Sequence, residues 1–204
     1  MDSSAITPCA ILLSGGMDST ALTWSTRPDL AITFDYGQLA ARGEVQAATA
    51  ICEAIGVRHR VVAVNCRDLG SGDMAGTPPS TLAPVPEWWP FRNQLLITMA
   101  AAVAVTAGIR CLVVGSVAND TAHADGRKIF FEAMNRVLVI QEGELNLLAP
   151  AIDQTTVELC RNSDVPFEIL AWAHSCHVSD YACGMCRGCV KHRETMYALG
   201  YGEY

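Results

Sequence analysis

The chain has 204 residues, half of them hydrophobic, and carries a formal net charge of −7 at pH 7. A chain of this length can bury a full hydrophobic core, so we expect one unit over residues 1–204. The acidic balance argues against a broad nucleic-acid surface, which needs clustered lysine and arginine, and only Lys128 and Lys191 are lysines. Because no export signal or long apolar span is recognisable, the sequence predicts a cytoplasmic protein with no membrane partner.

The first predicted strand, residues 9–13, runs into a Ser-Gly-Gly-x-Asp-Ser turn that opens a helix over 18–26. Successive glycines let backbone N–H groups point at an anion, and the helix N-terminus adds positive charge. These properties indicate a phosphate site formed by Ser14, Gly15, Gly16, Ser19 and Thr20. Asp18 fits beside phosphate if a divalent cation or a backbone N–H engages its carboxylate, and a bound magnesium nucleotide would explain it. An ordinary turn followed by a helix N-cap is the open alternative.

Strands and helices alternate through the rest of the chain. Further strands are predicted over 30–35, 58–64, 111–115 and 145–149, with helices over 40–55, 91–107, 128–140 and from 157 onward. This alternation predicts an α/β fold with a doubly wound, Rossmann-like parallel sheet, and residues 65–90 form a long loop of the kind that often serves as a lid. Ligands of such sheets bind at the carboxyl ends of the strands, so residues 14–19, 35–38 and 115–120 are expected to face one pocket.

The nine cysteines are unevenly distributed. Five lie in or beside apolar segments and are interpreted as small buried hydrophobes: Cys9, Cys52, Cys66, Cys111 and Cys160. The others form a C-x6-C-x2-C-x2-C array: Cys176, Cys183, Cys186 and Cys189. Four thiolates close the shell of a tetrahedral zinc ion, so we predict a structural zinc site in a C-terminal segment, residues 172–204. A site of three cysteines with His174 or His177, an iron–sulfur cluster and a redox pair remain open.

Five motifs occur in order through nearly the whole chain. They are Ser14-Gly15-Gly16-Met17-Asp18-Ser19, Phe34-Asp35-Tyr36-Gly37-Gln38, Phe91-Arg92-Asn93, Asp120 with Asp125-Gly126-Arg127, and the cysteine array with Arg193. Together they resemble the 7-cyano-7-deazaguanine synthase family of the PP-loop ATP pyrophosphatase superfamily. The first motif is common to the superfamily, whereas its combination with the others is much narrower.

The resemblance implies an adenine nucleotide alpha hydrolase-like fold and an ATP-dependent carbon–nitrogen ligase of queuosine biosynthesis. Such an enzyme adenylates the carboxylate of 7-carboxy-7-deazaguanine, joins it to ammonia to give the amide, and dehydrates the amide to a nitrile with a second ATP. The implied cofactors are ATP, Mg²⁺ and Zn²⁺, the partners are the small-molecule acid and ammonia or another amine, and the implied assembly is a homodimer.

The resemblance also implies roles for individual residues. Catalytic roles fall on Asp18, Arg92, Asp120 and Arg127. Nucleotide binding falls on Ser14, Gly15, Gly16, Asp18, Ser19, Thr20, Asp35 and Tyr36. Substrate binding falls on Gln38, Phe91, Arg92, Asn93, Asp125 and Arg127, with the arginines countering negative charge and Asp125 accepting hydrogen bonds from the guanine-like edge. Ordinary capping by Asp35 or Asn93 and a solvated Arg127 are the alternatives, and His123 is given no catalytic role.

The differences between this chain and the family lie at positions where substrate specificity is decided. Met17 stands where the family usually has glutamine, the segment 122–127 lacks an aromatic residue, and Thr156 stands where the family carries a lysine. Two alternatives therefore stay open. One is a related ligase that couples the activated acid to a different amine on a protein or nucleic acid, and the other is a non-catalytic zinc-containing adaptor of the same fold.

Overall fold

The computed structural model describes residues 8–120 and 122–202, so residues 1–7, 121, 203 and 204 of the predicted unit lie outside the described residues. Within them the elements are β1 (Ala10–Leu12), α1 (Met17–Thr26), β2 (Leu30–Asp35), α2 (Ala41–Ile55), β3 (His59–Ala63), α3 (Arg92–Thr106), β4 (Cys111–Val114), α4 (Lys128–Val139), β5 (Asn146–Leu148), α5 (Thr156–Asn162), α6 (Phe167–Leu170) and α7 (Arg187–Ala198). Each predicted strand and helix is present, with ends shifted by one or two residues.

The strands form one sheet in the order β3-β2-β1-β4-β5, and all four pairings are parallel. The chain winds outward from β1 to β3, crosses back, and continues on the other side of β1 with β4. The direction of winding thus reverses between β1 and β4, which is where an open parallel sheet leaves a crevice for ligands. The predicted doubly wound parallel sheet is confirmed.

Alternate strand residues enter two separate cores. Ile11 of β1 packs into a core with residues from α1, α2, α5 and α6 and with the fully buried Met196 of α7. The neighbouring Ala10 packs on the opposite face with residues from α3 and α4. Because both faces are covered, the central strands β1 and β4 are apolar throughout, whereas the edge strand β3 contains His59 and Arg60 and is partly exposed.

The loop between β3 and α3 has little regular structure beyond a short 3₁₀ turn over Arg67–Leu69, as predicted. It is nevertheless packed, because Met74 and Trp89 are buried in the core beneath it. The Trp89 ring meets that of Tyr36 edge-on, with 5.0 Å between their centroids. The packing fixes the path of the loop along one side of the cavity described below.

The five cysteines outside the array are all buried, which confirms their interpretation as small core residues. None of the helices in the described ranges is both long enough and apolar enough to cross a membrane.

Candidate active site

A cavity of about 540 Å³ lies at the carboxyl ends of β1 and β4, at the point where the winding of the sheet reverses. Its volume is in the range of small-molecule sites. The wall runs from the turn after β1, past the first turn of α3, to the first turns of α7 beside the cysteine array. The predicted phosphate turn and the predicted metal cluster therefore lie at one cavity.

The turn after β1 depends on a glycine at position 15. Gly15 has a φ of +79°, and a Cβ atom there would lie 2.8 Å from the carbonyl oxygen of Glu44. Any side chain would therefore be strained and would collide with the backbone of α2. The next peptide N–H, from Gly16, points to the Ser14 hydroxyl at 3.3 Å, and this hydroxyl is 3.2 Å from that of Ser19.

The structure separates the predicted nucleotide residues of this turn into two groups. Ser14, Gly16, Asp18 and Ser19 line the cavity. Thr20 is fully buried behind the wall, where its hydroxyl donates to the Gly16 carbonyl over 2.8 Å. Thr20 therefore stabilises the start of α1. Ser19 lines the cavity, and its hydroxyl donates to the same carbonyl over 3.0 Å.

Two predicted catalytic carboxylates meet at a lysine that the sequence reasoning did not select. Lys191 of α7 places its Nζ 3.1 Å from Oδ2 of Asp18 and 3.4 Å from Oδ1 of Asp120. Burial raises the pKa of Asp18, and the charge of Lys191 opposes that shift. Oδ1 of Asp18 is buried, and the neighbouring Thr156 side chain also opposes the rise in the pKa of Asp18. The sequence feature that could have drawn attention to Lys191 is its position two residues after Cys189, in a chain with only two lysines.

Arg92 and Glu44 form a second polar group on the cavity wall. The Arg92 guanidinium lies beside Tyr36 and donates to Sδ of Met74 over 2.8 Å. Burial raises the pKa of Glu44 to about 7, although a hydrogen bond from Gln38 and the charge of Arg92 oppose the shift. Sequence reasoning gives Glu44 no role in the site, since it stands out only as an acidic residue one position away from that expected from the family resemblance.

Gln38 and Asp35 shape the turn after β2 and do not line the cavity. The Gln38 amide accepts from the Tyr36 N–H over 2.9 Å and donates to Glu44 Oε2 over 2.7 Å. Asp35 Oδ1 accepts from the Gly37 N–H over 3.1 Å. Both side chains thus hold the backbone that presents Tyr36 and Glu44 to the cavity.

The Phe91-Arg92-Asn93 and Asp125-Gly126-Arg127 motifs meet at the start of α3. The Asn93 N–H donates to Asp125 Oδ2 over 3.1 Å, and its side-chain amide donates to the Asp125 carbonyl over 2.8 Å. Asn93 lines the cavity together with Arg92, whereas Phe91, Asp125 and Arg127 do not. Phe91 is 70% exposed, and Arg127 is exposed at the residue preceding α4.

The far end of the cavity carries an ion pair and imidazoles. Glu87, buried in the loop before α3, pairs with Arg187 of α7 over 2.9 Å. His123 and His177 line the same end, and burial lowers the pKa of each. No local pattern in the sequence indicates the Glu87–Arg187 pair, because its members are 100 residues apart.

The four array cysteines come together as predicted. Their sulfur atoms all lie within 4.8 Å of one another, and two of the pairs are 3.9 Å apart. Tetrahedral zinc with Zn–S bonds of about 2.3 Å separates its sulfurs by about 3.8 Å, so this donor set fits the ion. Backbone N–H groups of Cys186 and Cys189 point at the preceding cysteine sulfurs over 3.3 and 3.5 Å, as thiolate ligands require. Because the group contains no histidine among the described residues, a site of four cysteines is favoured over one of three cysteines and a histidine.

These features define the class of protein to which the chain belongs. The sheet is doubly wound, a glycine turn opens a helix at its switch point, and the adjoining cavity ends at a four-cysteine cluster compatible with zinc. That combination is an α/β fold of the PP-loop type with a metal-binding C-terminal segment.

Comparisons with known proteins identify the family of this chain. A family model described as "Queuosine biosynthesis protein QueC" matches residues 8–200, and the chain belongs to this family. Relatives named 7-cyano-7-deazaguanine synthase include that of Chlorobaculum parvum, 29% identical over 95% of this chain and 93% of the relative. The synthase of Methanothermobacter thermautotrophicus is 31% identical over 93% of this chain and 94% of the relative. The synthase of Thiobacillus denitrificans is 31% identical over 96% of this chain and 96% of the relative. These names favour the synthase interpretation over a different acceptor or a non-catalytic adaptor.

Proposed function

We propose that this chain is an ATP-dependent carbon–nitrogen ligase that converts 7-carboxy-7-deazaguanine to its amide and then to 7-cyano-7-deazaguanine. The observation that carries the proposal is that the glycine turn and Arg92 open onto one cavity of about 540 Å³ in a member of the QueC family. One end of that cavity has N–H and hydroxyl groups suited to phosphate, and another part of its wall has a cation suited to a carboxylate.

The turn after β1 would bind the ATP phosphates through its N–H groups and the hydroxyls of Ser14 and Ser19. The donor set fits Mg²⁺, because the side chains of Asp18 and Asp120 both line the cavity beside this turn and a single Lys191 ammonium group lies between them. Carboxylate oxygens are ligands that Mg²⁺ prefers. When bound, the ion would neutralise charge on the phosphates.

Arg92 would hold the acid by its carboxylate, and Asn93 and Tyr36 would flank it on the wall. A carboxylate oxygen of the acid attacks the α-phosphorus of ATP and the bond to pyrophosphate breaks. Ammonia then attacks the acyl carbon, loses a proton, and AMP leaves with that oxygen. In the second round the amide oxygen displaces pyrophosphate in the same way, and loss of AMP and of the nitrogen-bound protons leaves the nitrile.

Asp125 would act as a positioning residue through its two hydrogen bonds to Asn93, and Gln38 through its bonds to Tyr36 and Glu44. Asp35 and Thr20 would likewise support the nucleotide site from behind. We assign Phe91 and Arg127 to the rim, where a bound substrate brings further surface into contact.

Zinc held by the four thiolates would fold residues 172–204 onto the rest of one unit, 1–204, since this segment is too short to have its own core. We also propose that the protein acts as a homodimer in the cytoplasm, which family membership supports.

The proposal is tested by incubating the zinc-loaded protein with 7-carboxy-7-deazaguanine, Mg·ATP and ammonium, followed by mass spectrometry of the base and the nucleotide. We expect the amide, the nitrile and AMP. R92M should lose acid turnover by about a hundredfold or more, because it removes the charge that holds the carboxylate. Wild-type protein that binds ATP but leaves the acid unchanged would overturn the proposal.

A further inference from the structure

Building on the proposed function, we propose that Lys191 is the lysine that contacts the ATP phosphates, and that its ammonium group and a divalent cation compete for Asp18 and Asp120. The inference concerns a residue of this chain that none of the five motifs contains.

The first support is the position of the ammonium group. Nζ of Lys191 bridges the two carboxylates at 3.1 and 3.4 Å, and Asp18 belongs to the glycine turn itself. The Lys191 side chain is 36% exposed and lines the cavity, so it is open to a ligand rather than enclosed in protein. A phosphate group bound in the turn would therefore lie within reach of this side chain.

The second support is that other positively charged side chains have different partners or lie outside the cavity. Lys128, the other lysine, is 59% exposed, pairs with Asp153, and does not line the cavity. Arg187 lines the cavity but pairs with Glu87 at its far end. Arg92 lies with Tyr36 and Glu44 on the wall, and the charge of Asp120 also helps to raise its pKa. Among the described residues, Lys191 is the cation of the cavity that forms an ion pair with the phosphate turn, through Asp18.

The third support is the charge balance. One ammonium group faces two carboxylates, those of Asp18 and Asp120. A divalent cation would balance both carboxylates, and it cannot occupy the bridging position together with the ammonium group. Because a lysine has a flexible four-carbon stem, Nζ can move from the carboxylates to nearby phosphate oxygens when the ion binds.

The cysteine cluster gives this lysine its position. Lys191 lies on α7 two residues after Cys189, and its contact with Asp18 spans 173 positions of sequence. A Cβ atom at Gly188, in the same turn of the helix, would lie 1.9 Å from the Ser175 carbonyl oxygen, so the segment before the array packs directly on this helix turn. Zinc would then serve the nucleotide site by holding α7 against the turn.

The test compares K191M and K191R with K128M, which removes the lysine outside the cavity. Zinc content and circular dichroism are measured first, and binding of Mg·ATP and of adenosine is then measured by calorimetry. We expect K191M to bind Mg·ATP at least about tenfold more weakly, because the lost phosphate contact outweighs the relief of competition for the metal, and to bind adenosine within about twofold of wild type, because adenosine has no phosphate. K191R should keep most of the ATP affinity, and K128M should match wild type.

In the absence of nucleotide, K191M should bind Mn²⁺ several-fold more tightly, because the competing ammonium group is gone.

A second measurement uses the wild-type protein, so it does not depend on how the variants fold. Amine acetylation is followed by peptide mass spectrometry with Lys128 as the internal reference. Mg·ATP should protect Lys191 whereas adenosine with Mg²⁺ should not. Equal loss of ATP and adenosine affinity in K191M, or no protection of Lys191 by Mg·ATP, would overturn the inference. Failure of the proposed function is distinguishable, because these binding readouts are independent of whether any nitrile forms.

Discussion

Glu87, in the loop between β3 and α3, accepts a hydrogen bond from Arg187 of α7 over 2.9 Å. The Glu87 side chain is only 7% exposed, whereas that of Arg187 is 49% exposed. Arg187 lies between two cysteines of the array, so this pair connects the loop to the metal-binding segment at the far end of the cavity.

E87Q should lower the free energy of unfolding by about 1 kcal/mol, because it removes one charge of a partly buried, hydrogen-bonded pair. The measurement is urea denaturation of the zinc-loaded protein. D153N is the matched control, since it removes the charge from a pair in which both side chains are exposed, and it should leave stability unchanged. Equal effects of the two variants would show that the Glu87–Arg187 contact contributes no more than a surface pair.

G15A should weaken ATP binding by at least about tenfold, because the new Cβ combines a positive φ with a collision against the Glu44 carbonyl and so displaces the turn. Calorimetry with Mg·ATP measures the effect. G56A is the control: Gly56 also has a positive φ, of +76°, but apart from its chain neighbours no atom of the described residues lies within 4 Å of its Cβ position. That variant should lose a little stability and keep its ATP affinity. A G15A protein that binds ATP like wild type would exclude this turn as the phosphate site.

The stability difference between wild type and E44Q should depend on pH. Burial raises the pKa of Glu44 from 4.5 to about 7, so the folded protein holds this proton more tightly than the unfolded chain does. The free energy of unfolding of wild type relative to E44Q should therefore fall by about 3 kcal/mol as the pH rises from about 4.5 to about 7, and be constant above and below. Denaturation series across this range measure the difference, and a difference that is independent of pH would contradict the burial argument.

Wild-type protein should contain one zinc per chain, and C183S should lose it, because each of the four sulfurs is needed to complete the shell. Elemental analysis measures the stoichiometry. C66A is the control, since Cys66 is buried outside the array, and it should keep its zinc. Hydrogen exchange should increase in α7 on chelation while β1 and β4 remain protected. Iron with visible absorption in place of zinc would contradict the prediction.

Local patterning predicts the elements because apolar periodicity is a property of adjacent residues. The alternation of Ile11 and Leu12 between two cores is an example. The strand order is not predictable in the same way, since it depends on pairings such as Ala10 with Leu112. The cysteine cluster is predictable because its ligands are close in sequence and their chemistry is specific.

The rest of the site depends on contacts between distant segments. Sequence reasoning does not select Lys191, because its meeting with Asp18 requires both the sheet and the folded cysteine segment. It does not select Glu44 either, because the burial of that residue follows from the packing of α2 against the glycine turn. The sequence predicts direct substrate binding by Asp125, whereas its hydrogen bonds to Asn93 favour an indirect role that only the tertiary structure could indicate.

The central claim is that ATP bound in the turn after β1 converts a carboxylate into an acyl donor. The most direct test uses 7-carboxy-7-deazaguanine labelled with ¹⁸O in both carboxylate oxygens, with Mg·ATP and ammonium, and measures the mass of the AMP released. The account predicts that each AMP carries one ¹⁸O atom and that the nitrile carries none. Unlabelled AMP, or label found in inorganic phosphate, would contradict attack at the α-phosphorus.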